Sequence, residues 1–312
     1  MTTTVPVDPG TIPPHALRRV IETALEEDAP WGDVTSEALI PADATATAIL
    51  AARESGVFAG GTVFAAVMVA VDPSVETVLH VRDGARFAAG DVLATVHGSA
   101  RSVLRAERVA LNLAQRMSGI ATVTARYVAA VEGTRARIAD TRKTTPGLRA
   151  LERYAVRCGG GHNHRTSLSD AVLAKDNHLA VLAARGVPIG DAITAARERL
   201  GHTVHVEVEV DRLDQVEPVV AAGVDTIMLD NFTPEQLVAG VAAVAGRAVV
   251  EASGGVSLET VAAIAATGVD VVSVGALTHS ARALDLGLDI AVSDGAVGVP
   301  SPSVSPAAPG RG

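Results

Sequence analysis

Cysteine, lysine and aromatic residues are all scarce in this chain, and each shortage removes a class of explanation. Cys158 is the only cysteine in 312 residues, so no intramolecular disulfide can form and a lone thiol cannot build a zinc site by itself. A solitary cysteine in an apolar segment is more often a small core residue than a nucleophile. Aromatics make up 2% of the residues and the formal net charge is −9, which leaves little to stack on bases and the wrong overall sign for a phosphate backbone. Nucleic acid is therefore not expected as a partner. Every apolar run of about 18 residues is broken by a charge or by glycine or proline, and Met1–Gly10 has no basic-then-apolar pattern. Neither a membrane nor secretion is expected, and a cytoplasmic location follows.

The lysine shortage points to particular positions. Of the 26 basic residues, 24 are arginine and only Lys143 and Lys175 are lysine. Arginine does not substitute for lysine where a compact charge on a flexible stem is needed, so these two are the first places to look for chemistry. What the chain has in quantity is apolar content, 48%, with an ordinary 20% charge, enough for one large core or two moderate ones.

From Ile138 onward, short apolar runs alternate with amphipathic segments of helical period, the pattern of successive βα units. Strands are predicted at Arg137–Thr141, Ala171–Lys175, Thr203–Val210, Asp225–Leu229, Ala248–Glu251 and Val269–Val274. Helices are predicted at Pro146–Arg157, Ile189–Leu200, Leu213–Ala222, Pro234–Val244 and Leu258–Ala266, with Gly201, Gly223, Gly246 and Gly268 placed as C-terminal caps. Six such units imply an α/β fold with a parallel sheet closed, or nearly closed, into a barrel; a doubly wound open sheet is the alternative.

The first part of the chain reads as a separate α+β domain over residues 1–130. It has a helix at Pro14–Glu26, strands at Thr45–Ala52, Glu76–Val81 and Val92–His97, and a long linking helix at Ala100–Met117. The barrel then occupies 131–292, and Ser293–Gly312, rich in Ser, Pro, Gly and Ala, is expected to be disordered.

In a parallel barrel the site forms at the C-terminal ends of the strands, and here nearly every strand end is polar or glycine-rich. They carry Thr141-Arg142-Lys143, Lys175-Asp176-Asn177-His178, Glu207 with Glu209, Asp230-Asn231, Ser253-Gly254-Gly255 and Gly275. A charged residue at one strand end is usually a solvated cap; six at one rim are harder to explain that way. Arg142, Lys143, His164, Arg165 and Lys175 form a basic group in an acidic protein, which implies an anionic ligand. Gly159-Gly160-Gly161 just before His162 and His164 permits close backbone approach or a mobile loop. The two histidines hint at a metal, but no third ligand clusters with them in sequence. Glu209 and Asp230 put the opposite sign on the same rim, suited to ribose hydroxyls, a divalent cation or a cationic reacting carbon. The Ser253-Gly254-Gly255 turn before a helix is a candidate phosphate cradle.

With these residues assembled, the chain resembles the quinolinate phosphoribosyltransferase family, also called nicotinate-nucleotide pyrophosphorylase (carboxylating), from about Leu17 to Ile290. The resemblance is carried by Thr141-Arg142-Lys143-Thr144, Pro146-Gly147, Tyr154-Ala155-Val156, Gly159-Gly160-Gly161, His164-Arg165, Leu168, Asp170 and Lys175-Asp176-Asn177-His178. Glu207-Val208-Glu209-Val210, Leu229-Asp230-Asn231 and Glu251-Ala252-Ser253-Gly254-Gly255 support it. It implies an N-terminal open-faced sandwich with an incomplete α/β barrel. It also implies a reaction of quinolinate with phosphoribosyl pyrophosphate, needing magnesium, that yields nicotinate mononucleotide, pyrophosphate and carbon dioxide.

By that resemblance Arg142, Arg165 and Lys175 hold the two carboxylates of quinolinate, with His164 nearby, and Arg108 comes from the other subunit of a homodimer; a further hexamer is left open. Thr141 and Lys143 belong to the same loop. Lys143, Glu209 and Asp230 are the catalytic group on the phosphoribosyl pyrophosphate side, with magnesium at Glu209 and Asp230. Ser253, Gly254, Gly255, Val274, Gly275 and Ala276 approach the 5′-phosphate. Ser167 and Arg153 depart from the family's usual glycine and lysine. The rival readings are a related phosphoribosyltransferase acting on nicotinate or another acid, and a non-catalytic barrel that senses a phosphorylated metabolite.

Overall fold

The computed structural model describes residues 9–292; the segment Ser293–Gly312, expected to be disordered, lies outside them. The chain opens with helices α1 (Pro14–Asp28) and α2 (Val34–Leu39), followed by β1 (Thr45–Ala52), β2 (Gly56–Val57), α3 (Gly61–Val71), β3 (Glu76–Leu79), β4 (Arg86–Phe87) and β5 (Val92–Ser99). Helix α4 (Ala100–Ala130) then leads to β6 (Arg137–Ala139), α5 (Arg149–Cys158), β7 (Val172–Ala174), α6 (Asp176–Ala184) and α7 (Ile189–Arg199). The remainder is β8 (Val206–Val210), α8 (Val216–Ala221) after a 3-10 turn at Leu213–Gln215, β9 (Thr226–Asp230), α9 (Pro234–Val244), β10 (Val249–Ser253), α10 (Val261–Ala266), β11 (Val271–Ser273), α11 (Ala276–His279) and β12 (Leu286–Val292).

The six-stranded sheet has the order β6-β11-β10-β9-β8-β7, all parallel. The first strand of the series pairs with the last and every other neighbour is consecutive in the chain. A doubly wound sheet would instead reverse its order at a switch point. The order is that of a barrel left open between β6 and β7. The second sheet, β12-β1-β5-β3, is antiparallel. One of its faces buries Ala46, Ala48, Leu50, Ala94 and Val96, while Thr47, His80, Thr95 and His97 hydrogen-bond in pairs on the exposed face. That alternation is the pattern of a sheet covered on one side only.

Several expectations are corrected. The linking helix runs on to Ala130, because Ile120, Ala121, Thr124, Ala125 and Tyr127 continue its buried stripe past the Ser118-Gly119 step where it was expected to stop. Strand β12 pairs residue by residue with β1, so the chain returns from the barrel to the first sheet before 292. Helix α5 starts at Arg149 rather than Pro146, since Gly147 adopts a φ of 84°. Helix α10 starts at Val261, so no helix follows directly on the Ser253-Gly254-Gly255 turn. Helices α3 and α6 were not anticipated. No single helix among the described residues is long and apolar enough to cross a membrane; α6 and α7 qualify by length and composition only as a pair bent by 106°.

Helix α4 joins the two units, with Met117 and Ile120 buried in a core shared by Phe58, Phe64 and Leu93 on one side and Leu151 and Ile138 on the other. Gly159 and Gly161, after α5, press against it, while Gly160 between them takes a φ of 85°. A Cβ on Gly159 would fall against the carbonyl oxygen of Ala121 and within 2.6 Å of Thr124 Cβ, and one on Gly161 would lie 2.8 Å from Thr124 Cγ2. The outer two glycines therefore serve close approach and the middle one a left-handed turn. Gly159→Ala is expected to cost about 1–3 kcal/mol of overpacking strain, read as a lowered midpoint of thermal or urea unfolding; an unchanged midpoint would show that α4 gives way freely.

Candidate active site

The opening between β6 and β7 is where the chain turns into the barrel. After the glycines, His162 forms a parallel bridge to Ala139 of β6, and the backbone continues through Asn163, His164 and Arg165. A buried network sets its path. Asp140, fully buried at the end of β6, accepts from His164 N at 2.7 Å, Asn163 Nδ2 at 2.6 Å and Arg153 Nη1 at 3.2 Å. Arg153 also donates to the carbonyls of His164 at 2.6 Å and Arg165 at 3.3 Å. Burial pushes the Asp140 carboxyl above the usual carboxylate range against the pull of Arg153. Arginine at 153, a departure from the family's usual lysine, thus reaches two carbonyls and a carboxylate at once.

His164 and His162 part company: His162 is exposed, whereas His164 is turned inward. Its Nε2 lies 3.1 Å from Glu207 Oε2 on β8 and 3.5 Å from Glu251 Oε1 on β10, both nearly fully buried. Its Nδ1 accepts the Arg165 amide at 2.7 Å. Burial alone would lower the imidazole pKa, but the hydrogen bonds and charges of the two glutamates outweigh it and raise it to about 10. An imidazolium would set an N–H of its own against the Arg165 amide. In the neutral ring the proton therefore sits on Nε2, facing the two carboxylates, and burial raises the Glu207 carboxyl.

Toward the mouth, Arg165 donates to the Ala171 carbonyl at 3.1 Å, and its pKa is lowered by burial and then by the neighbouring charge of Arg142. The Nε atoms of Arg142 and Arg165 are buried without a hydrogen-bond partner. Lys175, the residue before α6, pairs with Glu209, which sits on the same face of β8 as Glu207. Two guanidinium groups that repel each other, each with a buried Nε that lacks a hydrogen-bond partner, are chemically suited to an anion.

On the other flank, Lys143 N donates to Thr141 Oγ1 at 3.1 Å, and Thr278 Oγ1 donates to the Lys143 carbonyl at 2.8 Å. The Lys143 side chain crosses Gly275, where a Cβ would stand 3.0 Å from its Cδ. Arg116, paired with buried Glu152, binds the Thr278 and Ala281 carbonyls, and Glu152 accepts Thr145 N at 3.1 Å. The Lys143 loop and the Val274-Gly275-Ala276 turn are thus fixed to each other through α4 and α5. At the end of β9, Asp230 accepts from Asn231 Nδ2 at 2.6 Å, and Asn231 N donates to Ser253 O at 2.9 Å. A Cβ on Gly254, whose φ is 88°, would lie 2.6 Å from Asn231 Cγ. Arg108 is the predicted residue that does not join: it is exposed on α4 and makes no hydrogen bond or ion pair among the described residues.

Glu207 was read from the sequence together with Glu209, but Asp140, Asn163 and Glu251 were not foreseen as site-building residues. For Glu251 the only signal was a lone acid inside an otherwise apolar strand, VVEAS. Cys158 is buried, and burial together with Asp83 pushes its thiol up to about 12, so it is no nucleophile.

Residues 120–289 match the family described as "Quinolinate phosphoribosyl transferase, C-terminal domain", and residues 33–118 match the corresponding N-terminal domain. The nicotinate-nucleotide pyrophosphorylase [carboxylating] of Mycobacterium leprae is 47% identical over 281 residues, 88% of this chain and 97% of that protein. The probable enzyme of the same name from Bacillus subtilis is 40% identical over 281 residues, covering 90% and 96%. Among solved structures, NadC from Streptococcus pyogenes superposes with a TM-score of 0.86 at 42% identity, covering 91% of this chain and all of that one.

Proposed function

The chain belongs to the quinolinate phosphoribosyltransferase family, and from that premise we propose how its barrel mouth carries out the reaction. The enzyme joins quinolinate to phosphoribosyl pyrophosphate and releases pyrophosphate and carbon dioxide, leaving nicotinate mononucleotide. The observation that supports the assignment of roles is the paired Arg142 and Arg165, with unfilled buried Nε donors, beside Lys175 on one rim. They receive the two carboxylates of quinolinate, and Lys175 turns from Glu209 to do so.

Lys143, held over Gly275, faces the pyrophosphate side with Thr141, and the Ser253-Gly254-Gly255 and Val274-Gly275-Ala276 turns bring bare backbone to the 5′-phosphate. Glu209 and Asp230 lie toward the ribose. Their hard carboxylate oxygens fit magnesium as a partial ligand set of the kind that substrate phosphates and water complete. Magnesium, when bound, neutralises charge on the departing pyrophosphate. Basic residues bring two anions together that repel each other in water, and holding them oriented contributes about 7–11 kcal/mol toward the barrier in favourable systems. The ring nitrogen forms the bond to the ribose carbon as the bond to pyrophosphate breaks. The quaternised ring accepts the electron pair as the 2-carboxylate leaves as carbon dioxide, and the ring carbon then takes a proton.

We place the enzyme in the cytoplasm as a homodimer. The corner around α2 supports a subunit contact: Trp31, Val34 and Leu39 are 94%, 79% and 74% exposed. Arg101 and Arg105, two turns and one turn before Arg108, anchor that corner through the Ile40, Glu37 and Ala29 carbonyls. The direct test is turnover with quinolinate, phosphoribosyl pyrophosphate and magnesium, with nicotinate as competitor. Product and carbon dioxide are expected from quinolinate and none from nicotinate. Turnover of nicotinate alone would transfer the assignment to a related phosphoribosyltransferase.

A further inference from the structure

Helix α5 opens on an arginine, which is the wrong charge for that end of a helix. Arg149 is its first residue, where the partial positive charge of the helix N-terminus disfavours a cation, and Arg153 adds a like charge one turn further on. The side chain does not turn away into solvent. Arg149 is half-buried; its Nε donates to Thr144 Oγ1 at 3.0 Å and its Nη1 to the Thr166 carbonyl at 3.1 Å. These partners lie on separate segments, and each stands beside one arginine of the anion receptor. Thr144 bonds back to the Arg142 carbonyl through its amide at 2.9 Å and reaches the same oxygen with its hydroxyl at 3.5 Å. Thr166 directly follows Arg165, and its own amide is held by Asp170 at 2.7 Å. One guanidinium therefore joins the backbone beside Arg142 to the backbone beside Arg165. Among the described residues no other side chain hydrogen-bonds to both segments.

We infer that Arg149 is a positioning residue for quinolinate: it clamps the two segments together and so sets the spacing between the Arg142 and Arg165 guanidinium groups that receive the carboxylates. The inference rests on the family's reaction and deepens it. The two receptor groups carry like charge, and burial followed by the charge of Arg142 lowers the Arg165 pKa. Repulsion of this kind drives the segments apart unless their backbones are held. A guanidinium suits the task, since its rigid fork presents donors to a hydroxyl and a carbonyl at once, which a single ammonium on a flexible stem does less well. The effect should fall on quinolinate and spare phosphoribosyl pyrophosphate. Lys143 is fixed independently, its carbonyl by Thr278 and the turn that follows by the Thr145 amide on Glu152. Loss of Arg149 thus loosens the gap between the two arginines while Lys143 keeps its anchors.

Steady-state kinetics on the full-length enzyme tests this, with Arg149→Ala, Arg149→Lys, Thr144→Val, and Arg149→Ala combined with Thr144→Val. Arg149→Ala is expected to raise the KM for quinolinate about 10-fold and to leave that for phosphoribosyl pyrophosphate within about twofold. Its thermal midpoint is expected to hold or rise, because a cation leaves the helix N-terminus. Thr144→Val removes one of the two partners and is expected to raise the quinolinate KM about threefold. In the double variant the two effects should not multiply: its KM should stay within about twofold of Arg149→Ala alone, as for residues that act through one contact. Arg149→Lys is expected to recover only part of the loss. Equal rises in both KM values, or a lowered thermal midpoint with the quinolinate KM unchanged, would reduce Arg149 to general packing. Effects that multiply would make it a group acting apart from Thr144, and full recovery with lysine would show that charge alone suffices; either overturns the clamp. Should Arg149→Ala not fold, Thr144→Val carries the test, and an unchanged quinolinate KM there rejects the inference. Failure of the wild-type enzyme to use quinolinate would overturn the assigned reaction and the inference with it, whereas a working wild-type enzyme with unaffected variants overturns the inference alone.

Discussion

Lys175→Ala and Arg165→Ala are each expected to weaken quinolinate binding by about 2–4 kcal/mol, roughly 30- to 1000-fold in Kd, with the fold intact. The loss is large because a carboxylate taken from water into this mouth depends on charge-assisted partners, and removing one leaves its charge uncompensated. The two variants should differ in what they leave behind. Lys175 pairs with Glu209, so its removal also frees a partly buried carboxylate. Arg165→Ala removes a guanidinium that repels Arg142, so part of the loss is offset by a more relaxed Arg142. Arg165→Lys is expected to regain only a fraction, since a point charge cannot reproduce the planar fork. Isothermal titration with quinolinate, with thermal unfolding as the check on folding, measures all three. Wild-type affinity in both alanine variants would remove these residues from the site.

The reach of the sequence can be judged element by element. The barrel strands from β8 to β11 were legible because each is a short apolar run closed by a polar or glycine signal, and the strand ends gave the rim its chemistry. Helix α3 escaped because its segment, GTVFAAVMVAV, is apolar on every side and shows no helical period. Helix α6 escaped because it begins immediately after a strand, with Lys175 as its cap. Strand β12 could not be seen locally, since its partner β1 lies at the opposite end of the chain.

The site divides in the same manner. Arg142, Lys143, Arg165 and Lys175 were visible as charge out of keeping with an acidic, lysine-poor chain. Asp140 and Arg153, which hold the backbone of His164 and Arg165, carry no spacing signal because they converge only when the barrel closes, whereas Glu207 stood out two residues from Glu209 on one strand. For Glu251 a lone acid in an apolar strand was the available clue, and its weight comes from the cost of burying a carboxylate without a partner.

Arg108 presents the sharpest case of a residue whose role cannot be read within one chain. It lies on α4 eight residues before Arg116, about 12 Å along the axis at 1.5 Å per residue. Arg116 is bonded to the Lys143 side of the site through Glu152 and the Thr278 carbonyl, whereas Arg108 is exposed on the half of α4 that packs with the first domain. An exposed arginine that makes no hydrogen bond or ion pair among the described residues fits a two-fold contact in which each subunit completes the other's site. Arg108→Ala and Lys175→Ala are each expected to be nearly inactive as pure dimers. When the two are unfolded and refolded together, half of the dimers are mixed by random pairing. In a mixed dimer one site carries both defects, while the other combines an intact Lys175 with an intact Arg108 from its neighbour. Activity should therefore rise to about a quarter of the wild-type level. If both residues served the site of their own chain, every site in the mixture would carry one defect and nothing would be regained. Mixed dimers confirmed by mass and still inactive would place Arg108 outside the neighbouring site.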